Sequence, residues 1–175
     1  MKTVLIVEDE KMIRQGIKTM IMRSGVPIET IMECNNGETA LEILKEQEID
    51  VMFTDIRMPK MDGIELVQKM QSLEHIPLTV AISGYDDFAY AVEMLRNGVR
   101  EYILKPIERE KITEILKKLN AEIESRKEKE EINQKIGYQQ MRHLMLSDEI
   151  SGEEQRTIES QYADHFYTGN YYVCC

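Results

Sequence analysis

The chain contains 175 residues, of which 42% are hydrophobic and 31% are charged. This is enough for one domain with its own core and a substantial appendage, and the composition excludes a disordered chain. The apolar runs are far shorter than the roughly 20 residues that span a bilayer, so we expect no membrane segment.

The 22 Lys and Arg residues are outnumbered by 32 Asp and Glu residues, which gives a net charge of −10. A protein that binds DNA through its phosphates needs a basic face, and no stretch of this sequence supplies one. The cysteines, Cys34, Cys174 and Cys175, show neither metal-ligand spacing nor a disulfide pattern. These features predict a cytoplasmic protein whose own residues do not bind nucleic acid.

Apolar runs alternate with amphipathic segments along residues 1–120. The first run, 4–7, is mostly β-branched and predicts a buried parallel strand, and the helical pattern that follows from Lys11 to Ser24 stops at Gly25. Further strands are predicted at 28–33, 49–54, 78–82 and 102–104, and further helices at 36–44, 64–70, 88–96 and 107–119. Five repeats of strand and helix predict an α/β fold with a parallel sheet and helices on both faces.

Three acidic residues follow two of these strands. Glu8 and Asp9 come after the first strand, and Asp55 comes after the third. These strands are neighbours at the switch point of a doubly wound sheet, so we expect the three carboxylates to converge. Clustered carboxylates repel one another unless a cation is present, and a set of oxygen ligands favours Mg²⁺. An ordinary loop acid remains the alternative for any one of them alone, but it explains all three together poorly.

Two other strand ends carry a hydroxyl and an ammonium group. The fourth strand ends in Ser83-Gly84, and the fifth ends in Lys105-Pro106. Pro106 admits a cis peptide bond, which would fix how Lys105 projects. Alone, Ser83 would be interpreted as a turn former and Lys105 as a solvated side chain. With the acids, they complete a set suited to forming an acyl phosphate.

The order of these groups resembles that of the receiver domain of bacterial two-component response regulators. The matching positions are Glu8-Asp9, Asp55, Met58-Pro59-Lys60-Met61-Asp62-Gly63, Ser83-Gly84 and Lys105-Pro106. The resemblance covers residues 1–120 and implies a flavodoxin-like (βα)5 fold with strand order 2-1-3-4-5. It implies a signalling switch that is phosphorylated by a sensor histidine kinase and catalyses only its own phosphotransfer and autodephosphorylation.

The resemblance also assigns roles to individual residues. Asp55 would be the phosphoacceptor, and Asp9 and Asp55 would ligate Mg²⁺ directly. The backbone carbonyl of Arg57 would be a further ligand, and Glu8 would act mainly through a metal-bound water. Lys105 would pair with phosphoryl oxygens, and Ser83 would hydrogen-bond one of them after transfer.

The resemblance further predicts how a signal would leave the site. Ser83 and Tyr102 would move together as the switch pair and alter the face built from helix four, strand five and helix five. A core aromatic is the alternative interpretation of Tyr102. Arg57 and Tyr85 flank the path of an attacking water and would tune the lifetime of the phosphate. A homodimer would form through that face or through the helix that follows.

The sequence beyond the receiver predicts a helical linker, with a coiled coil as the alternative, at 121–146, and the start of an incomplete module at 147–175. The run Ser83-Gly84-Tyr85-Asp86-Asp87-Phe88 resembles receivers joined to AraC-type helix-turn-helix outputs. We therefore expect a transcriptional regulator that contacts DNA only through an output domain missing from this chain.

Other classes of protein fit less well. A flavin-binding flavodoxin would place a hydroxyl- and glycine-rich phosphate loop where Glu8-Asp9-Glu10 stands. A haloacid-dehalogenase-type phosphatase would need a second Asp two residues after Asp55, and position 57 is Arg. A single-domain receiver that acts by protein contact alone is the remaining alternative.

Overall fold

The computed structural model of this chain describes residues 1–84 and 88–146. The proposed tuning residue Tyr85 and the predicted module at 147–175 lie outside the described residues. Within the described part of the chain, no helix combines the length and apolar character needed to cross a membrane.

Five parallel strands form one sheet. They are β1 (Thr3–Val7), β2 (Thr30–Cys34), β3 (Val51–Asp55), β4 (Leu78–Ser83) and β5 (Glu101–Leu104). Their order across the sheet is β2-β1-β3-β4-β5, which confirms the expected topology. Val7 of β1 pairs with Thr54 of β3, so the residues that follow both strands emerge side by side. The chain reverses its direction of winding between β1 and β3, and the crevice there is where such sheets bind ligands.

In the described residues, five helices connect or follow these strands. They are α1 (Lys11–Met22), α2 (Gly37–Glu46), α3 (Gly63–Met70), α4 (Phe88–Arg96) and α5 (Arg109–Leu146). The first helix ends two residues before the predicted Ser24, and β2 begins at Thr30 rather than at Ile28. Gly25 adopts a φ of 75° between them, and Ile28 packs against the core from the connection instead of from a strand.

Two hydrophobic clusters cover the two faces of the sheet. Alternate residues of each strand point to opposite faces, so Leu5 packs in one cluster with α2 and α3, whereas Val4 packs in the other with α1 and α5. The strands β3 and β4 are buried along their whole length, as a sheet covered on both sides requires. The candidate site lies at the carboxyl ends of these strands.

The chain divides into two compact units, residues 1–125 and residues 126–175. The first contains the sheet and its helices. In the second, the structure describes the continuation of α5 to Leu146, where the side chains of Ile132, Ile136 and Tyr138 are exposed. The helix passes through Asn120 without a break, and the predicted division of the chain at that residue stays a prediction.

Candidate phosphoacceptor and cation site

The three predicted carboxylates converge at the carboxyl end of the sheet. Glu8, Asp9 and Asp55 each place a carboxylate oxygen within 4.8 Å of the others. Their surroundings differ: Glu8 is 1% exposed and Asp55 is 7% exposed, whereas Asp9 faces solvent. The cluster therefore has two buried acids and one accessible acid at its mouth.

Lys105 brings a positive charge to the two buried acids. Its Nζ lies 2.9 Å from Oε2 of Glu8 and 3.2 Å from Oδ2 of Asp55. The Lys105–Pro106 peptide is cis, and the backbone N–H of Lys105 donates to the carbonyl of Ser83 at 2.7 Å. The resemblance implies that Lys105 pairs with phosphoryl oxygens, and that role stays a prediction. The structure shows the side chain bridging Glu8 and Asp55.

Burial and neighbouring charges shift the pKa values of these three groups. Burial raises the pKa of both Glu8 and Asp55, and repulsion from a neighbouring carboxylate adds to this effect, so both pKa values stay raised although Lys105 lowers them. Burial lowers the pKa of Lys105, but its hydrogen bond to Glu8 and the charge of Asp55 outweigh that effect and raise its pKa overall. Two buried carboxylates thus share one ammonium group, and the cluster including Asp9 keeps an excess of negative charge.

The loop after β3 is held close to Asp55 by backbone contacts. The N–H of Ile56 donates to Oδ1 of Asp55 at 2.9 Å, and the N–H of Gly63 donates to the carbonyl of Ile56 at 2.8 Å. A Cβ at Gly63 would lie only 2.2 Å from the carbonyl oxygen of Asp55, so this position has no room for a side chain. Asp62 caps α3 by accepting from the N–H of Glu65 at 2.8 Å.

Arg57, expected to provide a backbone carbonyl, also makes a side-chain contact that sequence reasoning missed. Its Nη2 donates to the hydroxyl of Tyr90 on α4 at 3.0 Å, and its guanidinium carbon lies 5.5 Å from the centre of that ring. Both residues line a cleft of about 400 Å³ that also reaches Asp9 and Asp62. The sequence predicted a helix at 88–96 but gave no sign that Tyr90 contacts this cleft.

The two predicted switch residues occupy different environments. Ser83 is 2% exposed at the end of β4. Tyr102 on β5 is partly buried and packs against the cluster that contains Met94 and Val99, and it pairs in register with Ala81. Neither position by itself reveals a movement, so their joint role stays a prediction.

The donors present suit a divalent cation. Glu8, Asp9 and Asp55 offer oxygen ligands within reach of a common point, and Mg²⁺ commonly binds through one or two carboxylates while keeping several waters. The exposed Asp9 leaves a side open to such waters. A cation there would also offset the negative charge that Lys105 leaves uncompensated.

Comparison with known proteins identifies the family. The family model described as "Response regulator receiver domain" matches residues 4–117. An uncharacterized response regulatory protein of Vibrio cholerae is 31% identical over 69% of this chain and 46% of its own length. The uncharacterized transcriptional regulatory protein YesN of Bacillus subtilis is 31% identical over 70% of this chain and 33% of its own length. A two-component transcriptional regulator AraC from Clostridium phytofermentans superposes with a TM-score of 0.64 at 32% identity, covering 74% of this chain and 99% of that structure.

The chain therefore spans between a third and a half of the length of the curated relatives named above. The family model covers nearly all of the sheet, the helices α1 to α4 and the start of α5.

Proposed function

Because the chain belongs to the response regulator receiver domain family, we propose that Asp55 accepts a phosphoryl group from a sensor histidine kinase. The observation that carries this proposal is the convergence of Asp55 with Glu8, Asp9 and Lys105 at one sheet edge. Loose phosphoryl-transfer transition states need positioning and charge neutralisation more than covalent assistance, and this arrangement supplies both.

In the transfer step, a carboxylate oxygen of Asp55 attacks the phosphorus of a phosphohistidine. The new P–O bond makes an acyl phosphate, while the P–N bond breaks and its electron pair stays on the imidazole nitrogen. Ile56 helps to orient the acceptor through the N–H that it donates to Oδ1. Lys105, already 3.2 Å from Asp55, is close enough to turn from the carboxylate to a phosphoryl oxygen.

A bound Mg²⁺ would neutralise charge on the transferring group and on the carboxylates. Asp9, Asp55 and the backbone carbonyl of Arg57 would hold it directly, and Glu8 would act mainly through a water. Glu8 is also paired with Lys105, so it keeps that ammonium group beside Asp55.

Phosphorylation leaves Asp55 with a group that carries about two negative charges and three acceptor oxygens. We propose that the Ser83 hydroxyl then bonds a phosphoryl oxygen and that Tyr102 moves with it. The change would reach the face formed by α4, β5 and α5, where Leu95 and Leu104 are exposed by 54% and 43%. We propose that this face makes a protein contact, for example with a second copy of the chain.

The output that we propose is transcription. YesN is described as a transcriptional regulatory protein, and the Clostridium phytofermentans structure as a two-component transcriptional regulator. With a net charge of −10, the present residues are poorly suited to DNA phosphates. Contact with DNA would therefore use a separate output domain, and the protein would act in the cytoplasm.

Incubation with acetyl phosphate and Mg²⁺, followed by intact mass measurement, tests the central assignment. We expect a gain of one phosphoryl group that hydroxylamine removes, because an acyl phosphate reacts with it. The gain should be absent in Asp55→Asn and retained in Glu42→Gln, a control at an exposed carboxylate of α2. A gain that persists in Asp55→Asn would contradict the assignment, and rapid turnover of phosphate esters would favour a phosphatase instead.

A further inference from the structure

The loop that joins β1 to α1 consists of Glu8, Asp9 and Glu10, and it carries two of the three carboxylates of the site. One backbone contact ties it to β2, since the N–H of Glu8 donates to the carbonyl of Cys34 at 3.2 Å. Glu10 occupies the N-cap of α1, yet its side chain makes no capping hydrogen bond. The loop therefore lacks the side-chain cap that commonly anchors the entry to a helix.

Arg14 on α1 supplies contacts to this loop. Its Nη1 lies 2.6 Å from the carbonyl oxygen of Glu8 and 3.4 Å from that of Asp9. The side chain is only 16% exposed, and its Nε lies 3.5 Å from Oε2 of Glu33 on β2. One guanidinium group therefore joins the loop to the neighbouring strand.

Glu33 is itself held in place from α1. Lys18 places its Nζ 2.6 Å from Oε1, and the side-chain amide of Gln15 donates to Oε2 at 2.7 Å. Both carboxylate oxygens of Glu33 are thus engaged. Because a guanidinium is planar and its donors are fixed relative to one another, an anchored Glu33 restricts where the rest of the Arg14 side chain can lie.

We propose, on the basis of the phosphoacceptor function above, that Arg14 is a positioning residue for the cation site. It holds the backbone of Glu8 and Asp9 in the conformation that binds Mg²⁺. The two acids depend on it unequally: Glu8 is buried and its carboxylate is fixed by Lys105 at 2.9 Å, whereas Asp9 is exposed. Without Arg14, the Asp9 carboxylate would sample more positions, and binding a cation would have to order it first.

The expected loss of Mg²⁺ affinity can be judged from other metal sites in which residues that orient the ligands were removed. Removal of groups that orient metal ligands typically weakens metal binding by about 10- to 100-fold. Arg14 acts through carbonyls and not through the carboxylates, so we expect the low end of that range, roughly tenfold weaker Mg²⁺ binding.

The test compares Arg14→Met with Lys18→Met in the full chain. Each substitution removes one positive charge and one contact to Glu33 while keeping an unbranched stem, but only Arg14 touches the loop. Mg²⁺ is titrated into EDTA-treated protein and followed by backbone amide NMR shifts. Amide hydrogen exchange of residues 8–10 is measured separately in EDTA, which reports loop order without any metal.

We expect Arg14→Met to weaken Mg²⁺ binding about tenfold and to speed exchange at residues 8–10, and Lys18→Met to do neither. Arg14→Lys keeps the charge and a donor, so it should recover part of the Mg²⁺ affinity. It replaces Arg14→Met as the test variant if Arg14→Met fails to fold. Equal Mg²⁺ affinities for the wild type, Arg14→Met and Lys18→Met would overturn the proposal while leaving Asp55 as phosphoacceptor intact. A wild type that binds no Mg²⁺ would remove the cation site itself and, with it, the role of Arg14.

Discussion

Replacing Asp55 by Asn should stabilise the metal-free protein, although it removes the proposed acceptor. The change keeps the shape of the side chain. It also retains Oδ1, which accepts the N–H of Ile56 at 2.9 Å in the wild type. It removes one of two buried carboxylates that share a single ammonium group. Lys105 keeps its other partner, because Nζ remains 2.9 Å from Glu8. No buried charge is left unpaired by the substitution.

The distances between the charged groups show why the substitution should stabilise the protein rather than destabilise it. At an effective dielectric constant of about 20, Lys105 at 3.2 Å attracts Asp55 by about 5 kcal/mol. Glu8 and Asp9, at no more than 4.8 Å, repel it by at least ~3.5 kcal/mol each, and solvent screening reduces the share of the exposed Asp9. The screened repulsion therefore offsets most or all of the attraction, and the burial of the Asp55 charge turns the balance against the ionised side chain. Its raised pKa has the same direction. We expect Asp55→Asn to gain about 1–2 kcal/mol.

Urea unfolding at pH 7 measures this difference, first in EDTA and then with Mg²⁺. The variant should have the higher free energy of unfolding in EDTA. Mg²⁺ should narrow the gap, since it stabilises the folded wild type by binding it and binds the variant less well. Glu42→Gln, at an exposed carboxylate, should change little in either buffer. A variant less stable than the wild type in EDTA would refute the reasoning, because it would show that the ion pair with Lys105 outweighs burial.

Three further predictions concern the stability of variants at Lys105, Gly63 and Cys34. Lys105→Met should destabilise the metal-free protein by about 3 kcal/mol or more in urea unfolding, because it leaves two buried carboxylates without a cation. This effect is opposite in sign to that of Asp55→Asn, and a gain in stability would contradict the prediction. Gly63→Ala should cost about 2–4 kcal/mol because its Cβ would meet the Asp55 carbonyl at 2.2 Å, whereas Gly16→Ala, with nothing within 4 Å, should be neutral or slightly stabilising. Burial raises the pKa of Cys34 to about 11, so the unfolded thiol loses its proton at lower pH than the folded one and stability falls as the pH rises through about 11. Cys34→Ala should show a smaller alkaline loss in pH-dependent unfolding, and identical slopes would rule out this origin.

Much of the site could be predicted from the sequence because it depends on positions along single elements. The strand pattern placed Glu8, Asp9 and Asp55 at carboxyl ends, and a parallel sheet brings such ends to one edge. Their convergence within 4.8 Å follows from that rule together with the neighbouring placement of the two strands. Lys105-Pro106 was recognised at the end of its strand, and its peptide bond is cis.

The tertiary structure decided what the charged groups touch. Lys105 and Glu8 are 97 residues apart, and Arg14 on α1 reaches Glu33 on β2. Such pairs depend on how helices pack over the sheet and on side-chain conformations, neither of which leaves a periodic trace in the sequence. The same packing buries Glu8 and exposes its neighbour Asp9. Local pattern thus determined which groups gather at the sheet edge, and long-range packing determined their partners and their exposure to water.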